Sequence, residues 1–428
     1  MSTQSNRRSF LTKAGLGAAA LASTPLIQSF GNGLEDAKER TSMMSAPSDL
    51  RVTAVKAAYT RFGGMFVKLE TNQGITGWGE SVDASAGSYY LLKRMAGGVM
   101  RGSPLKPNVI FEQIRKGGVF GGAQSGTFVA TLTALECALW DLTGKALGLP
   151  IHQLLGGKFR DKVRVYCDTE FYSVGAKTPE SFAKAAQNVV DRGYTAMKFD
   201  LDEARDPNKW DNTNWTASQM EINRMVDSIA AARKQVGDKV DIACDMHARY
   251  DVNTGRRAAK ALEPFNLMWL EEPIPADNPE MYKSITNETS TPICCGENVY
   301  MTYGFSRLLS ESMVDEVMPD LQKCGGLGEG QRIANMANTY FTPFSPHMVG
   351  TMVGAMASAH VCAAVPNFHI LEWQTKSDTD KEWKEMVTFD KPFVEKGFLT
   401  VSDKPGIGVD VNQEGMKKYA VNGVPYFE

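Results

Sequence analysis

Six acids and two histidines in this 428-residue chain fall at or just past the ends of short apolar runs, where side chains can converge on one face. They are Asp200, Asp245, Glu271, Glu297, Asp320 and Glu372, with His247 and His347; Lys198 joins them two residues before Asp200. Asp245, Glu271 and Glu297 are spaced 26 and 26 residues apart, about one strand and one helix each. Three carboxylates on neighbouring strands repel one another unless a cation lies between them. Ligands that are all oxygen favour a hard ion, Mg²⁺ above others. The same acids could instead be paired with Lys or Arg around a rim.

His247 follows Asp245 by two residues, so a persisting strand would turn both side chains to the same face. His347 follows the seventh run. An imidazole at a strand end beside carboxylates suits acid/base work near neutral pH. His152, His360 and His369 are expected to be structural: His360 sits in an Ala-rich helix and His369 has the opposite strand parity to Glu372.

The elements that must position these groups have two rhythms. From Val52 the pattern is antiparallel: Met65 to Thr71 alternates, Asn72-Gln73-Gly74 turns, and Ile75 to Glu80 returns. Phe128, Leu132, Leu135, Leu139 and Leu142 then mark a helix that Gly148 and Pro150 close. After Lys162, apolar runs alternate with amphipathic helices. The runs are Val163–Cys167, Ala196–Asp200, Val240–Asp245, Leu267–Glu271, Pro292–Glu297, Glu316–Asp320, Tyr340–Pro346 and Phe368–Trp373. Thr178-Pro179 predicts one helix start, and Thr216-x-x-Gln219 reads as the capping box of another. Eight such runs predict an α/β fold with parallel strands closed into a barrel, functional groups at the strands' C-terminal ends. A doubly wound open sheet is the alternative, but no Gly-x-Gly-x-x-Gly opens the first unit.

Composition sets the outer bounds. Hydrophobic residues make up 43% and charged residues 22%, which is globular, and a net charge of −3 excludes a globally basic nucleic-acid binder. Seven cysteines without a C-x-x-C pair predict neither a disulfide scaffold nor a thiolate zinc site. Arg7-Arg8 followed by Phe10-Leu11, the small apolar run Ala14 to Ala22 and Ala20-Leu21-Ala22 resemble a twin-arginine export signal. The expected product is periplasmic, with no membrane anchor in its mature form. The predicted organisation is a signal over 1–30, a linker over 31–48, a small α+β domain over 49–162, a barrel over 163–390, and a C-terminal segment over 391–428 that returns to the first domain.

These residues resemble the enolase superfamily, specifically its mandelate racemase-like branch of acid-sugar dehydratases and racemases. Gly74-Ile75-Thr76-Gly77-Trp78-Gly79-Glu80 is similar to the hairpin of that family's capping domain. Leu139-Trp140-Asp141-Leu142 with Gly144-Lys145, then Leu149-Pro150-Ile151 and Leu154-Leu155-Gly156-Gly157, is similar to its link into the barrel. Trp269-Leu270-Glu271-Glu272-Pro273, Gly296-Glu297 and Pro319-Asp320-Leu321-Gln322-Lys323-Cys324-Gly325-Gly326 resemble its fourth, fifth and sixth barrel strands. The resemblance implies a (β/α)₇β TIM-like barrel under an N-terminal α+β capping domain. It implies Mg²⁺ on Asp245, Glu271 and Glu297, an Asp320–His347 dyad, and Glu372 hydrogen-bonded to the substrate carboxylate. It also implies a small-molecule sugar acid as partner, no nucleic acid, and a homo-oligomer.

One motif departs from the family. Members with a base on the second strand commonly carry Lys-x-Lys, whereas this chain has Lys198-Phe199-Asp200. Asp245-Met246-His247-Ala248-Arg249 instead resembles the Asp-x-His of galactonate- and mannonate-type dehydratases. The expected reaction is therefore dehydration, with His247 and His347 as the acid/base pair and Asp320 and Lys198 assisting. Asp200, Arg249 and Glu372 are the expected substrate contacts. Asp202 to Trp215 forms a long loop that covers the site, meets another subunit, or is a passive insertion. An epimerase or cycloisomerase using the same enediolate is the competing enzyme reading. A non-catalytic sugar-acid binding protein is the competing reading of a different class, but binding alone requires no oriented base.

Overall fold

The computed structural model describes residues 49–428 apart from 63, 85–86, 170–176, 204–205, 207–208, 210, 212, 375–380 and 390–392. The expected signal and linker lie outside the described residues. The N-terminal part is a three-stranded antiparallel sheet of β1 (Val52–Thr60), β2 (Gly64–Thr71) and β3 (Thr76–Ser81). Helices α1 (Ser88–Arg101), α2 (Pro107–Gly117) and α3 (Gly126–Leu147) follow. All five leucine and phenylalanine positions of the predicted stripe are buried in α3, and Gly148 ends it in the left-handed conformation, φ 69°. Close approach of α3 to β3 needs glycine. A Cβ at Gly77 would meet Ala138 O at 2.3 Å, and one at Gly79 would meet Ala134 O at 2.1 Å.

Parallel strands then run in sequence order: β4 (Lys162–Asp168), β5 (Ala196–Asp200), β6 (Asp241–Asp245), β7 (Leu270–Glu271), β8 (Ile293–Cys295) and β9 (Glu316–Val317). The intervening helices are α4 (Pro179–Asp191), α5 (Gln219–Val236), α6 (Val252–Leu262), α7 (Lys283–Thr286), α8 (Met301–Ser310), α9 (Leu327–Thr339) and α10 (Met352–Ala363). Strand β10 (Leu371–Gln374) pairs with β4 and closes the barrel. Tyr166, Ala196, Ala243, Trp269, Cys294, Met318 and Ile370, on or next to the strands, form a separate buried apolar cluster. Among the described residues, no helix is long and apolar enough to cross a membrane.

Two local expectations need correction. The seventh run, Tyr340–Pro346, is no continuous strand; it joins its neighbours through the isolated bridges Val317↔Phe344, Asp320↔His347 and Phe344↔Phe368. Pro343 and Pro346 lack the N–H that a ladder needs. The capping box of α5 is also shifted by two residues. Ser218 Oγ accepts from Glu221 N at 3.1 Å and Glu221 Oε2 accepts from Ser218 N at 2.8 Å. Thr216 instead bonds Asp251.

Buried carboxylates of the capping domain hold it to the barrel. Glu80 of β3 accepts from Thr351 N at 2.8 Å, Thr351 Oγ1 at 2.7 Å and Gly354 N at 2.9 Å, all at the start of α10. Glu136 of α3 accepts from Leu327 N at 2.9 Å and Gly328 N at 2.8 Å at the start of α9. Negative charge at a helix N-terminus meets unpaired N–H groups and the positive end of the dipole. Burial still pushes both carboxyls up to about 7. The chain's last residues return to β1, with Val421 N on Tyr59 O at 2.8 Å and Phe427 N on Ala57 O at 2.7 Å.

Candidate active site

The strand ends bring nine sequence-selected residues to one rim. Asp245 and Glu271 end β6 and β7, and Glu297 lies two residues past β8. One ligand oxygen from each of these three lies within 4.8 Å of the others. A fixed donor orients each carboxylate: His247 N on Asp245 Oδ1 at 2.7 Å, Trp269 Nε1 on Glu271 Oε2 at 3.2 Å, and Asn298 Nδ2 on Glu297 Oε1 at 2.9 Å. Three converging carboxylates, oxygen donors only, fit a hard divalent cation.

Lys198 of β5 lies beneath them, fully buried. Its Nζ is 3.1 Å from Asp245 Oδ2, 3.2 Å from Glu271 Oε2 and 3.0 Å from Glu372 Oε1. Burial disfavours the ammonium, but Glu271 and Glu372 outweigh it and hold Lys198 well above its ordinary value. Glu372 responds in the opposite sense: burial opposes its charge, and Lys198 with His347 keeps it below the usual carboxylate range. Glu271 is raised by burial and by Asp245.

Two imidazoles flank the cluster in matching ways. His347 Nδ1 faces Asp320 Oδ2 at 2.7 Å, while Nε2 is 2.9 Å from Glu297 Oε2 and 3.6 Å from Glu372 Oε2. His247 Nδ1 faces Asp202 Oδ1 at 2.7 Å, while Nε2 is 3.6 Å from Asp245 Oδ2 and 3.9 Å from Asp200 Oδ1. In each ring one nitrogen is held by a carboxylate and the other turns to the acidic cluster. Burial disfavours the charged form of both. The surrounding acids reverse this, raising His347 well above its ordinary value and His247 to about 10. Asp200, raised to about 6 by burial against the pull of His247, completes that side.

His247 reaches this position by a route that strand parity does not describe. Strand β6 ends at Asp245, and His247 and Ala248 are both left-handed, with φ 45° and 55°. The turn, rather than a continuing strand, aims the ring. Arg249 is at the edge, its side chain 62% exposed and its Nε 2.9 Å from Asp202 Oδ2. His369 lies away from this rim, with Nδ1 2.8 Å from Glu316 Oε1. Asp202 follows the alternation Lys198, Asp200, Asp202, a signal present in the sequence, but its role comes from its contact with His247. Asn298 and Glu272 carry no local sequence signal; their roles come from contacts between loops. A cleft of about 980 Å³, lined by Arg115 and Gln124 of the capping domain and by Trp215, Ala248, Asn298 and Tyr300 of the barrel loops, opens beside the site.

A barrel with acids and bases on successive strand ends, under an α+β capping domain, defines an enolase-type enzyme. Residues 181–415 match the enolase C-terminal domain-like family and residues 38–156 match the mandelate racemase / muconate lactonizing enzyme N-terminal domain. The chain belongs to the enolase superfamily, within its mandelate racemase and muconate lactonizing enzyme group. It is 33% identical to the D-xylonate dehydratase of Haloferax volcanii, across 89% of this chain and 90% of that one. It is 29% identical to the D-galactonate dehydratase of Variovorax paradoxus, across 82% of this chain and 89% of that one. Among solved structures, a mandelate racemase/muconate lactonizing enzyme-like protein from Rubrobacter xylanophilus superposes with a TM-score of 0.84. It is 38% identical, covering 90% of this chain and 100% of that one. The 3,6-anhydro-D-galactonate cycloisomerase of Zobellia galactanivorans gives 0.76 at 26% identity, covering 87% and 100%.

Proposed function

We propose that this protein is an acid-sugar dehydratase that converts a sugar monocarboxylate to its 2-keto-3-deoxy acid. The observation that carries the reading is the pair of imidazoles, each with Nδ1 on a carboxylate and Nε2 turned inward. Two oriented acid/base groups are what elimination of water requires. One takes the proton next to the substrate carboxylate; the other delivers a proton to the β-hydroxyl as its C–O bond breaks. The resulting enol then tautomerises to the ketone. The dehydratase names of the relatives in Haloferax and Variovorax support the same reaction class.

Asp245, Glu271 and Glu297 would hold Mg²⁺. When bound, the cation supplies positive charge that stabilises the developing negative charge on the substrate carboxylate and lowers the proton affinity of the neighbouring histidines. Asp320 and Asp202 fix the ring orientations of His347 and His247. Lys198 and Glu372 form the floor on which a carboxylate can rest, and Asp200 with Arg249 faces the substrate hydroxyls. The test is incubation with D-xylonate, D-galactonate and further aldonates in D₂O with Mg²⁺. A 2-keto-3-deoxy product supports dehydration. Deuterium exchange or inversion without water loss supports the isomerase reading, which the likeness to the Zobellia cycloisomerase fits.

Export by the twin-arginine route to the periplasm rests on Arg7-Arg8 and the run to Ala22. All seven cysteines are buried thiols outside any disulfide, which suits a chain that folds before it crosses the membrane. Fractionation of cells making the full chain and an Arg7→Lys/Arg8→Lys variant checks this; equal periplasmic yields would remove the proposal.

A further inference from the structure

A line of polar contacts runs from the capping domain to Glu297, and the acid/base scheme leaves it unused. Asp83, two residues past β3, places Oδ2 2.7 Å from Lys323 Nζ. The same ammonium donates to Asn298 Oδ1 at 3.0 Å. The amide nitrogen of Asn298 then donates to Glu297 Oε1 at 2.9 Å and to Glu272 Oε2 at 2.8 Å. Glu272 is held on its other oxygen by Gly296 N at 3.2 Å and Asn298 N at 3.4 Å.

Two carboxylates hydrogen-bonded to one amide nitrogen lie close enough to repel. One NH₂ group with a proton for each holds them together and sets where Glu297 points. That role depends on which way the amide faces. Turned over, Asn298 would present oxygen to two carboxylates and NH₂ to an ammonium. Lys323 makes the turned-over state electrostatically costly, so its charge selects the productive orientation. Lys323 is 7% exposed and Asp83 neutralises it from the capping side. Asp83 is left-handed, φ 56°, a conformation that Asp tolerates better than most residues.

We infer that Asn298 and Lys323 are positioning residues for Glu297, and that Asp83 ties the pair to the capping domain. The inference rests on the reading of Asp245, Glu271 and Glu297 as a divalent-cation site. Outer partners of a metal ligand act through its orientation, and their loss typically weakens binding by about 10- to 100-fold.

The experiment titrates Mn²⁺ into cation-stripped protein by electron paramagnetic resonance, alongside urea midpoints of the cation-free forms. Asn298→Ala should weaken Mn²⁺ roughly 10- to 100-fold. Lys323→Met should weaken it by about tenfold, and Lys323→Arg, which keeps charge and donors, should recover most of that loss. Asp83→Asn, at an exposed pair, should cost roughly threefold or less. The double variant Asn298→Ala/Lys323→Met should bind like Asn298→Ala alone, because the two act in series. If Asn298→Ala does not fold, the contrast between Lys323→Met and Lys323→Arg decides. Parent-like affinity in Lys323→Met, or equal losses in Met and Arg variants tracking lower urea midpoints, overturns the inference and leaves the dehydratase reading standing. A parent that binds no Mn²⁺ overturns the cation reading itself.

Discussion

His347 and His360 belong to the same βα unit and are both buried, yet the protein treats them in opposite ways. His360, in α10, lies between His152 N, which donates to its Nδ1 at 3.2 Å, and Ile407 O, 2.9 Å from its Nε2. Neither partner is charged, so burial dominates and the ring stays neutral down to about 3. His347 meets Asp320, Glu297 and Glu372 instead, and these acids overcome burial and hold it well above its ordinary value. Burial alone makes an imidazole a structural neutral; carboxylates around it make it a proton carrier. His247 is the intermediate case. Its side chain is 35% exposed and it is held in a left-handed turn.

The largest expected effect is at His347. His347→Asn should lower turnover by about 10³- to 10⁴-fold while Mn²⁺ still binds; substantial activity in the steady-state assay would break the contrast with His360. Asp320→Asn follows, because it leaves the ring in place and removes the charge that orients it. A loss of about 10²-fold in kcat, with little change in KM, is expected. Asp202→Asn is the counterpart on the exposed arm. Water can replace part of the lost contact at His247, so kcat should fall by only about tenfold. A loss as large as that of Asp320→Asn would show that exposure does not separate the two arms.

The last effect concerns stability rather than turnover. The folded His360 has its pKa depressed from 6.5 to about 3, so its contribution is fully present above 6.5 and is lost as pH falls through 3. Over that window it should make the protein less stable by about 1.4 kcal/mol per pH unit. Glu80 and Glu136 have the opposite sign. Their pKa values are raised from 4.5 to about 7, so their contribution is full below 4.5 and is lost as pH rises through 7. Urea midpoints between pH 4 and 7 check both: His360→Gln should flatten the acid side, and Glu136→Gln the neutral side. Unchanged slopes in both variants would end the comparison.

Much of the architecture was legible because periodicity is local. The hairpin from Met65 to Glu80, the stripe of α3 and the cap at Thr178 are set by residues within a few positions of one another. The seventh stave was less legible, since two prolines interrupt a run whose composition otherwise reads as strand. The acids and bases of the site were visible for a different reason: in a barrel the strand end is a sequence position as well as a place.

The amino-acid sequence by itself therefore determined the order of the strands, the acids that end them and the spacing that brings three carboxylates to one rim. Only the tertiary structure decided their partners. Asp202 beneath His247, Lys323 on Asn298, and Glu80 and Glu136 on barrel helices all join segments far apart in the chain. Such pairs depend on how loops turn and how a sheet seats on a barrel, and no local pattern encodes either. The charge of a buried histidine follows from those partners, so it too belongs to the fold.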